Sequence, residues 1–454
     1  MRRAGRRPPV PPCPRAPGAR RPGASPQRGT AGAHPRARPA GRARHRPGTR
    51  DDQGVELTLL GTGAPGGLPL PGCPCASCAT AVGADARTAT SVFVDGALLL
   101  DLTPDAVQAA ARAGRSLRGV RQVLLSHPHT GPAVDVPAGL PAPGRVPDGR
   151  ELALISGHRV RAVAVDAPGT GYSVTGPDGD DLLYLPPGAA PAGMPPRPAP
   201  YGVVLLDVLG RPEALARLRA AGAVTATTDV IGVHLGHGTP PGTELHRRLS
   251  AAGARAVPDG TALGARGRPA PPVPPRRTLV LGGARSGKSA EAERRLESYP
   301  EVLYVATGGT REGDPEWAAR VSLHRERRPG SWRTTETCDL VPLLAGDGPP
   351  LLIDCLALWL THAMDAVDAW DDEVWAAGGG QRALRARTEA LVSAVRSTRR
   401  TVVAVSNEVG SGVVPATASG RRFRDELGRL NAAVAAECEH VLLVVAGQAL
   451  PLRG

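Results

Sequence analysis

Long hydrophobic runs are absent from this chain of 454 residues, and nowhere do about 18 apolar residues follow one another. A membrane-spanning helix needs about 20 such residues, so the sequence predicts no span. The first fifty residues also lack the apolar run of a secretory signal, and their clustered prolines argue against an amphipathic transit helix. We therefore expect neither a membrane span nor a targeting segment.

Acidic residues are missing from residues 1–50, which contain 14 arginines. That charge of +14 exceeds the +13 of the whole chain, so the remaining residues carry −1 and are close to neutral. With almost no large apolar side chain, residues 1–53 cannot bury a core, and we expect a disordered Arg/Pro-rich tail. It is either a basic arm for an acidic partner or, as we favour, sequence upstream of the true start codon. The near-neutral remainder argues against nucleic-acid binding.

Cysteine is scarce and odd in number, at seven residues. Three of the seven, Cys73, Cys75 and Cys78, fall within six positions. Such bunching indicates a metal site in a reducing cytoplasm rather than a disulfide framework, so we expect a cytoplasmic protein. Three thiols can converge on one ion, and a structural zinc then needs one further ligand. The alternative is that the cysteines are small buried hydrophobic residues.

Lysine is nearly absent as well. Lys288 is the only lysine in the chain, and all other residues of the Lys/Arg class are arginines. It lies in a glycine-rich loop that follows the apolar strand 278–281 and fits the pattern G-x-x-x-x-G-K-[ST]. A compact ammonium fits a phosphate cradle that a planar guanidinium would overfill. The alternative is a glycine turn that matches the pattern by chance. We expect a nucleotide to bind the eight residues of the pattern, which are Gly282, Gly283, Ala284, Arg285, Ser286, Gly287, Lys288 and Ser289.

Magnesium is the cofactor that such a loop implies, with the Ser289 hydroxyl as one ligand. Asp354 ends the apolar strand 349–353, which is the expected form of an element that orients Mg²⁺ through water. The alternative is a strand-end aspartate that only caps a turn.

Three further segments follow the tail. Residues 54–266 alternate short strands with helical patches and predict a strand-rich α/β layer domain. Residues 267–276 are rich in proline and predict a semi-rigid linker. Residues 277–454 contain strand–helix–strand spacing that is typical of a mainly parallel sheet.

Two histidines, His127 and His129, follow the strand 123–125 in the first of these domains. Together with the Cys-x-Cys-x-x-Cys pattern, they resemble the metallo-β-lactamase fold, in its phosphodiesterase-like branch, over about 55–265. The resemblance implies an αββα domain in which H-x-H-x-D-H binds two catalytic metals. Here Gly131 and Pro132 stand where the family has Asp and His, and neither side chain can ligate a metal.

Two further ligand positions differ from the family, since its later histidine falls near Asp166 and its bridging aspartate near Pro186 or Pro187. His234 and His237 resemble its last histidine pair, of which the second closes the cysteine site. The resemblance thus implies a structural zinc held by Cys73, Cys75, Cys78 and His237. It leaves a degenerate metal site at His127, His129 and His234. Our preferred interpretation is that these histidines are retained but have no catalytic role. The alternative is an active metal-dependent phosphohydrolase.

His324 lies on a helix that we expect to run from Asp314 to about Arg328. From spacing alone it is a buried or capping histidine. The surrounding arginines favour its neutral, nucleophilic form.

Six ordered motifs in residues 277–454 resemble the bifunctional adenosylcobinamide kinase/adenosylcobinamide-phosphate guanylyltransferase family. They are GGARSGKS at 282–289, YVAT at 304–307, HRERRPGSWRT at 324–334, DCL at 354–356, SNEVG at 406–410 and RFRD at 422–425. The family commonly has Asn where His362 stands, which is a local departure.

The resemblance implies a RecA-like P-loop fold and two reactions. A nucleoside triphosphate, ATP or GTP, phosphorylates adenosylcobinamide, and GMP from GTP is then transferred to give adenosylcobinamide-GDP. The second reaction uses a histidine–GMP intermediate, so His324 becomes the expected nucleophile, with Lys288 as the second catalytic residue. The resemblance also implies a homo-oligomer that assembles through the P-loop domain.

Overall fold

The computed structural model describes residues 55–128, 135–194, 197, 199–264, 269–309, 322 and 328–454. The described residues from 55 to 454 form one compact unit. Each cluster of buried apolar side chains within the described ranges draws either on residues 55–263 or on residues 279–444, and none mixes the two. The described part of the chain therefore has two separately packed regions, which we call the N-terminal and C-terminal regions.

The N-terminal region contains two β-sheets and four α-helices among its described residues. Its strands are β1 Leu57–Gly61, β2 Ser91–Val94, β3 Leu98–Leu100, β4 Gln122–Leu124, β5 Glu151–Ala153, β6 Arg159–Val163, β7 Gly171–Thr175, β8 Asp181–Tyr184, β9 Val203–Leu206, β10 Asp229–Gly232, β11 Ala254–Arg255 and β12 Thr261–Leu263. Its helices are α1 Ala76–Thr80, α2 Ala106–Arg112, α3 Pro212–Ala220 and α4 Gly242–Ala251. The strand orders are β12-β1-β2-β3-β4 and β11-β10-β9-β8-β7-β6-β5.

The two sheets face each other and carry helices on their outer faces. In β9, Val203 and Leu205 pack into the core between the sheets, whereas Val204 and Leu206 pack against α3 and α4. This alternation follows from the period of two residues in a strand, and strands buried on both faces are accordingly apolar throughout. On the far side, α2 packs its alanines against the outer face of the first sheet. The αββα layering that the metallo-β-lactamase resemblance implied is confirmed.

The C-terminal region contains one seven-stranded sheet and six described helices. In chain order the elements are β13 Arg277–Gly282, α5 Lys288–Arg294, β14 Leu303–Ala306, β15 Arg333–Glu336, α6 Leu340–Ala345, β16 Leu351–Asp354, α7 Leu356–Asp365, α8 Asp372–Ala376, α9 Gly379–Ser397, β17 Val402–Asn407, α10 Ala418–Ala436, β18 His440–Val445 and β19 Gln448–Arg453.

The sheet of this region is parallel except at one edge. Its order is β15-β14-β16-β17-β13-β18-β19, and β19 alone pairs antiparallel, with β18. The carboxyl ends of the parallel strands consequently meet at one edge, which includes Gly282, Ala306 and Asp354. The predicted mainly parallel sheet is confirmed.

The helix after the glycine-rich loop is short. It begins at Lys288 and ends at Arg294. Beyond it, Leu296 N donates to Glu293 O at 2.9 Å and Tyr299 N to Leu296 O at 3.0 Å, so tight turns replace the helical bonds. No helix within the described ranges has the length and apolarity needed to cross a membrane.

Arginines from the N-terminal region reach the helix that follows the loop. Arg247 on α4 places Nη2 3.2 Å from Oε1 of Glu291 on α5, and the Glu291 side chain is only 2% exposed. Arg219 on α3 donates through Nη1 to the Ser298 carbonyl at 2.8 Å and to its hydroxyl at 2.9 Å. Charged contacts thus connect the two regions beside the loop.

Candidate functional site

The glycine-rich loop leaves the central strand β13 and enters α5 at the carboxyl edge of the sheet. Residues 283–285 are exposed, and residues 286–289 are half-buried. Ser286 Oγ is buried and makes no hydrogen bond to any described residue. An unsatisfied buried hydroxyl is costly, and a phosphate oxygen would satisfy it.

The geometry of the loop explains why glycine occupies two of its positions. At Gly282 an added Cβ would lie 2.4 Å from Ser286 Oγ and 2.7 Å from the Val444 carbonyl, so a side chain does not fit. Gly287 has a φ of 97°, in the left-handed region that favours glycine. Glycine at both positions therefore permits the curled conformation of the loop, which a side chain at either position would disfavour.

Backbone contacts from neighbouring strands fix the loop. Glu408 N, just after β17, donates to the Gly282 carbonyl at 3.1 Å, and Gly447 N, after β18, donates to the Ser286 carbonyl at 2.9 Å. The motif Ser406–Asn407 is anchored in turn, because Asn431 of α10 accepts from Ser406 Oγ at 2.6 Å and donates to the Asn407 carbonyl at 3.0 Å. The motif 406–410 therefore lies directly beside the loop.

The Lys288 ammonium folds back over the loop and donates to the Gly283 carbonyl at 3.2 Å. Burial raises the pKa of the nearby Cys355 thiol to about 11 and Asp354 adds to the rise, whereas the Lys288 charge opposes it. Lys288 and Asp354 thus act on one thiol, which places both at the same edge of the sheet.

Asp354 ends β16 and is half-buried. Its Oδ2 accepts a hydrogen bond of 2.8 Å from the Tyr304 hydroxyl on the neighbouring strand β14. Burial raises the pKa of Tyr304 and Asp354 raises it further, so the hydroxyl stays a donor. Sequence reasoning noted Tyr304 only as part of a strand motif, and its contact with Asp354 depends on the strand order.

His324 lies outside the described residues, so the expected nucleophile has no position here. The described residues nearest to it along the chain are Ser322 and Arg328, and both lie between β14 and β15 in the sequence.

The cysteine cluster lies in the N-terminal region around α1. The ligand atoms of Cys73, Cys75, Cys78 and His237 all lie within 4.8 Å of one another, and this is the only such group among the described residues. Cys73 Sγ is 3.2 Å from His237 Nδ1, although 164 positions separate them in the chain. Ligands of a tetrahedral zinc with Zn–S bonds of about 2.3 Å lie about 3.8 Å apart, so the four residues fit the ion.

The pKa values of two of these thiols are shifted in opposite directions. A hydrogen bond from Cys78 N, with further bonds from Cys73 and His237, lowers the pKa of Cys75 to about 7. Burial raises the pKa of Cys78, which packs beside Leu68 and Ala81. Metal binding requires thiolates, and a bound cation would offset the burial cost at Cys78.

Two of the three histidines of the degenerate site are described, and they lie near each other. The rings of His127 and His234 are 6.4 Å apart, while His129 falls outside the described residues. Burial lowers the pKa of His234 to about 4, against an opposing bond from its Nε2 to the Leu185 carbonyl. His234 is therefore a neutral imidazole near pH 7.

Asp101 lies beneath these histidines and was not singled out by the sequence. It is fully buried and accepts hydrogen bonds of 2.6 Å from Ser126 N, Ser126 Oγ and the Tyr184 hydroxyl, with His127 Nδ1 at 3.5 Å. Burial alone would raise its pKa, but these partners outweigh it and lower the pKa. Its position at the end of β3 was the only available signal, because its partners come from distant strands.

Asp166, at the position of the family's later histidine, is held by arginines. Arg211 Nη2 and Arg217 Nη1 donate to its Oδ2 at 2.9 and 2.8 Å, and Ala190 N donates to its Oδ1 at 2.9 Å. Both carboxylate oxygens are thus engaged by the protein itself.

Solved structures of related architecture resemble part of the chain. A diphosphatase of the PhnP family matches at 22% identity with a TM-score of 0.37, over 46% of this chain and 97% of its own. The metallo-beta-lactamase fold protein YhfI from Bacillus subtilis matches at 11% identity with a TM-score of 0.34, over 46% and 99%. The αββα architecture is inferred from the observed sheets and helices of this chain and not from these matches.

Sequence relatives match the C-terminal region. The family model described as cobinamide kinase / cobinamide phosphate guanyltransferase covers residues 278–452. The bifunctional adenosylcobalamin biosynthesis protein CobP of Pseudomonas aeruginosa is 43% identical over 183 residues, which are 39% of this chain and 98% of that protein. Its counterpart CobU of Salmonella typhimurium is 40% identical over 174 residues, which are 37% of this chain and 95% of that protein. Since nearly the whole length of these relatives is matched, the chain belongs, through its C-terminal region, to the cobinamide kinase/cobinamide phosphate guanyltransferase family of enzymes.

Proposed function

We propose that this chain phosphorylates adenosylcobinamide with a nucleoside triphosphate and then transfers GMP from GTP to the product. The observation that carries the proposal is the match of residues 278–452 to the family model, together with 43% identity to nearly the full length of CobP. The curled loop at 282–289 supports it, since its buried Ser286 hydroxyl and its lone lysine suit a triphosphate.

In the first reaction the terminal hydroxyl of adenosylcobinamide attacks the γ-phosphorus, the bond to the β-phosphate oxygen breaks, and a nucleoside diphosphate leaves. Lys288 would stabilise the charge that develops on the phosphate oxygens. Ser289 and Asp354 would hold Mg²⁺, which supplies neutralisation of the triphosphate. The Tyr304 hydroxyl orients the Asp354 carboxylate by the bond already described.

In the second reaction His324 would act as the nucleophile. Its neutral nitrogen attacks the α-phosphorus of GTP, and the bond from that phosphorus to the β-phosphate oxygen breaks with release of pyrophosphate. The cobinamide phosphate oxygen then attacks the same phosphorus, the phosphorus–nitrogen bond breaks, and imidazole is restored. Covalent catalysis divides one difficult transfer into two easier ones.

For the N-terminal region we propose a degenerate, zinc-stapled scaffold. The four residues Cys73, Cys75, Cys78 and His237 would hold the zinc and tie the loop before α1 to the chain that precedes α4. The engagement of Asp166 by Arg211 and Arg217 supports the loss of a two-metal hydrolytic site, as do Gly131 and Pro132 at ligand positions.

The experiment that tests the whole proposal is incubation of the full chain with adenosylcobinamide, GTP and Mg²⁺, followed by mass analysis of protein and product. We expect adenosylcobinamide-GDP in solution and a protein heavier by one GMP when the corrinoid is left out. Absence of both species would contradict the proposal.

A further inference from the structure

A cavity of about 890 Å³ opens at the carboxyl ends of β14 and β15, in the C-terminal region. Its walls come from four segments that are distant in sequence: 306–309 after β14, 336–341 around the start of α6, one face of α7, and two residues of α9. None of the residues of the phosphate loop lines it. The cavity is therefore a second concave site on the same domain.

Hydrogen bonds hold the floor of this cavity in place. Trp359 Nε1 on α7 donates to the Cys338 carbonyl at 3.0 Å, and Cys338 Sγ donates to the Thr307 carbonyl at 3.3 Å. The Thr307 hydroxyl donates to the Cys355 carbonyl at 2.7 Å and accepts from Cys355 N at 2.9 Å. The ends of β14, β15 and β16 are thereby joined, and a largely preformed cavity is the usual form of a small-molecule site.

The position of the cavity relative to the phosphate loop favours an acceptor site. In the order β14-β16-β17-β13 the two strands that lead to the cavity and to the loop are three spacings apart, or about 14 Å at about 4.8 Å each. Both lie at the carboxyl edge, where open α/β sheets bind their ligands. Asp354 ends the strand β16, which lies next to β14 on the side of the loop. A molecule in the cavity would thus lie beside a nucleotide on the loop.

The lining combines an apolar floor with a polar rim. Leu358, Trp359 and Ala363 contribute apolar surface, whereas Asp339, Asp365 and Arg387 are exposed at the rim. A corrinoid presents methyl groups on its macrocycle, amide groups around its periphery and a cationic centre. Carboxylates accept from amide N–H groups and favour a cation nearby, and apolar walls favour the methyl-bearing edge.

We propose that this cavity binds the corrinoid acceptor, with one edge of the macrocycle between α7 and the 336–341 segment. The assignment rests on the proposed function. It adds the location of the acceptor, which the phosphate loop alone does not supply.

Filling the cavity with a large side chain tests directly whether the corrinoid binds there. Ala390 on α9 lines the cavity and is exposed, so Ala390→Trp places an indole in it without burying the ring in the core. Glu389→Trp is the matched control, because the neighbouring Glu389 is exposed on the same helix but does not line the cavity. Adenosylcobinamide affinity is measured by absorbance titration, and self-labelling by α-labelled GTP is measured without corrinoid.

We expect Ala390→Trp to weaken adenosylcobinamide binding by about tenfold or more, and Glu389→Trp by less than about twofold. Labelling by GTP should be unchanged in both variants, which also shows that they are folded. The milder variant Asp339→Asn should weaken corrinoid binding by about threefold, since one charge-assisted hydrogen bond becomes neutral. Wild-type corrinoid affinity in Ala390→Trp with intact labelling would overturn the assignment.

Two other experimental outcomes can be distinguished from this one. Loss of GTP labelling in Ala390→Trp but not in Glu389→Trp would assign the cavity to the nucleotide and overturn the proposal. Failure of the wild-type chain to bind adenosylcobinamide at all would overturn the proposed function, and the cavity assignment with it.

Discussion

The Tyr304 hydroxyl donates a 2.8 Å hydrogen bond to Oδ2 of Asp354, across the neighbouring strands β14 and β16. The Arg328 guanidinium covers the Tyr304 ring, 3.4 Å from its centroid, and thereby limits the ring's movement. The carboxylate that we propose as a Mg²⁺ ligand is thus oriented by a tyrosine that the arginine holds in place.

Replacing Tyr304 by phenylalanine tests this relationship. We expect Tyr304→Phe to raise the Mg²⁺ concentration needed for half-maximal kinase rate by about fivefold, because about 1 kcal/mol of orienting hydrogen bond is lost. The measurement is a Mg²⁺ titration of ADP or GDP release. Tyr299→Phe, on the turn after α5, serves as control and should leave the titration unchanged. An unshifted midpoint in Tyr304→Phe would remove the tyrosine from this role.

The single lysine permits a chemical test of the phosphate loop. An amine-reactive acylating reagent can modify one side chain in the whole protein, Lys288, besides the α-amino group. We expect GTP with Mg²⁺ to protect Lys288, because the phosphates would cover its ammonium. Mass analysis of the peptide that contains residue 288 reports the protection, and the α-amino group is the internal control. Equal modification with and without GTP would contradict phosphate contact.

Lys288→Ala should lower the kinase rate by about 10²–10³-fold, the usual cost of losing a group that stabilises transition-state charge. Lys288→Arg should recover little of the rate, since the larger guanidinium does not fit where an ammonium meets the Gly283 carbonyl at 3.2 Å. Steady-state kinetics of both variants give the measurement. Near-wild-type turnover in Lys288→Arg would show that charge alone suffices at this position.

His324→Ala should abolish covalent labelling by α-labelled GTP and leave the kinase step largely intact. The imidazole is needed only for the second transfer, whereas phosphorylation depends on the loop. Labelling is followed on denatured protein, and the kinase step by the formation of adenosylcobinamide phosphate. His246→Ala, an exposed histidine on α4, is the control. Undiminished labelling of His324→Ala would exclude it as the nucleophile.

Metal analysis of the purified chain should give one zinc per molecule. Cys78→Ser should lose it, because a neutral hydroxyl replaces a thiolate in the four-ligand set. Cys438→Ala removes a buried thiol that lies outside the cluster and should retain the ion. Two or more zinc per chain, with phosphodiesterase turnover, would instead indicate an active hydrolytic site in the N-terminal region.

The contact between the two regions should make stability depend on pH through Glu291. Burial alone would raise the pKa of Glu291, but Arg295, Arg294 and Arg247 outweigh it and lower the pKa from 4.5. A carboxyl whose folded pKa is lowered binds fewer protons when folded, so its contribution to stability is complete above pH 4.5 and is lost as pH falls through the folded pKa.

Glu291→Gln should destabilise the protein by about 3 kcal/mol at pH 7, since the variant leaves buried arginines without their counter-charge. The gap between variant and wild type should close as pH falls below 4.5. Thermal unfolding across pH 3–7 measures it. Glu301→Gln, in an exposed pair with Arg333, is the control and should have little effect at any pH. A gap that does not change with pH would contradict the ionic origin.

Sequence patterns indicated what lies within a few residues along the chain. The loop around Lys288, the spacing of Cys73, Cys75 and Cys78, and the apolar run before Asp354 are each contiguous. Each predicts chemistry because the ligand atoms, or the turn that presents them, depend on neighbouring residues. The parallel sheet also followed from the spacing of strand, helix and strand, whereas the αββα layering followed from the family resemblance.

The tertiary structure decided which distant residues meet. His237 contacts Cys73, 164 positions away in the chain. Asp101 accepts hydrogen bonds from the hydroxyls of Ser126 and Tyr184, which belong to other parts of the sheets. The order β14-β16 places Tyr304 against Asp354 and creates the cavity beside them. Strand order and docking depend on how whole faces pack, and no short stretch of sequence carries that information. The contacts of Asp101 and of Tyr304 were therefore found only in the folded chain, whereas the meeting of His237 with the cysteines had been implied by the family resemblance.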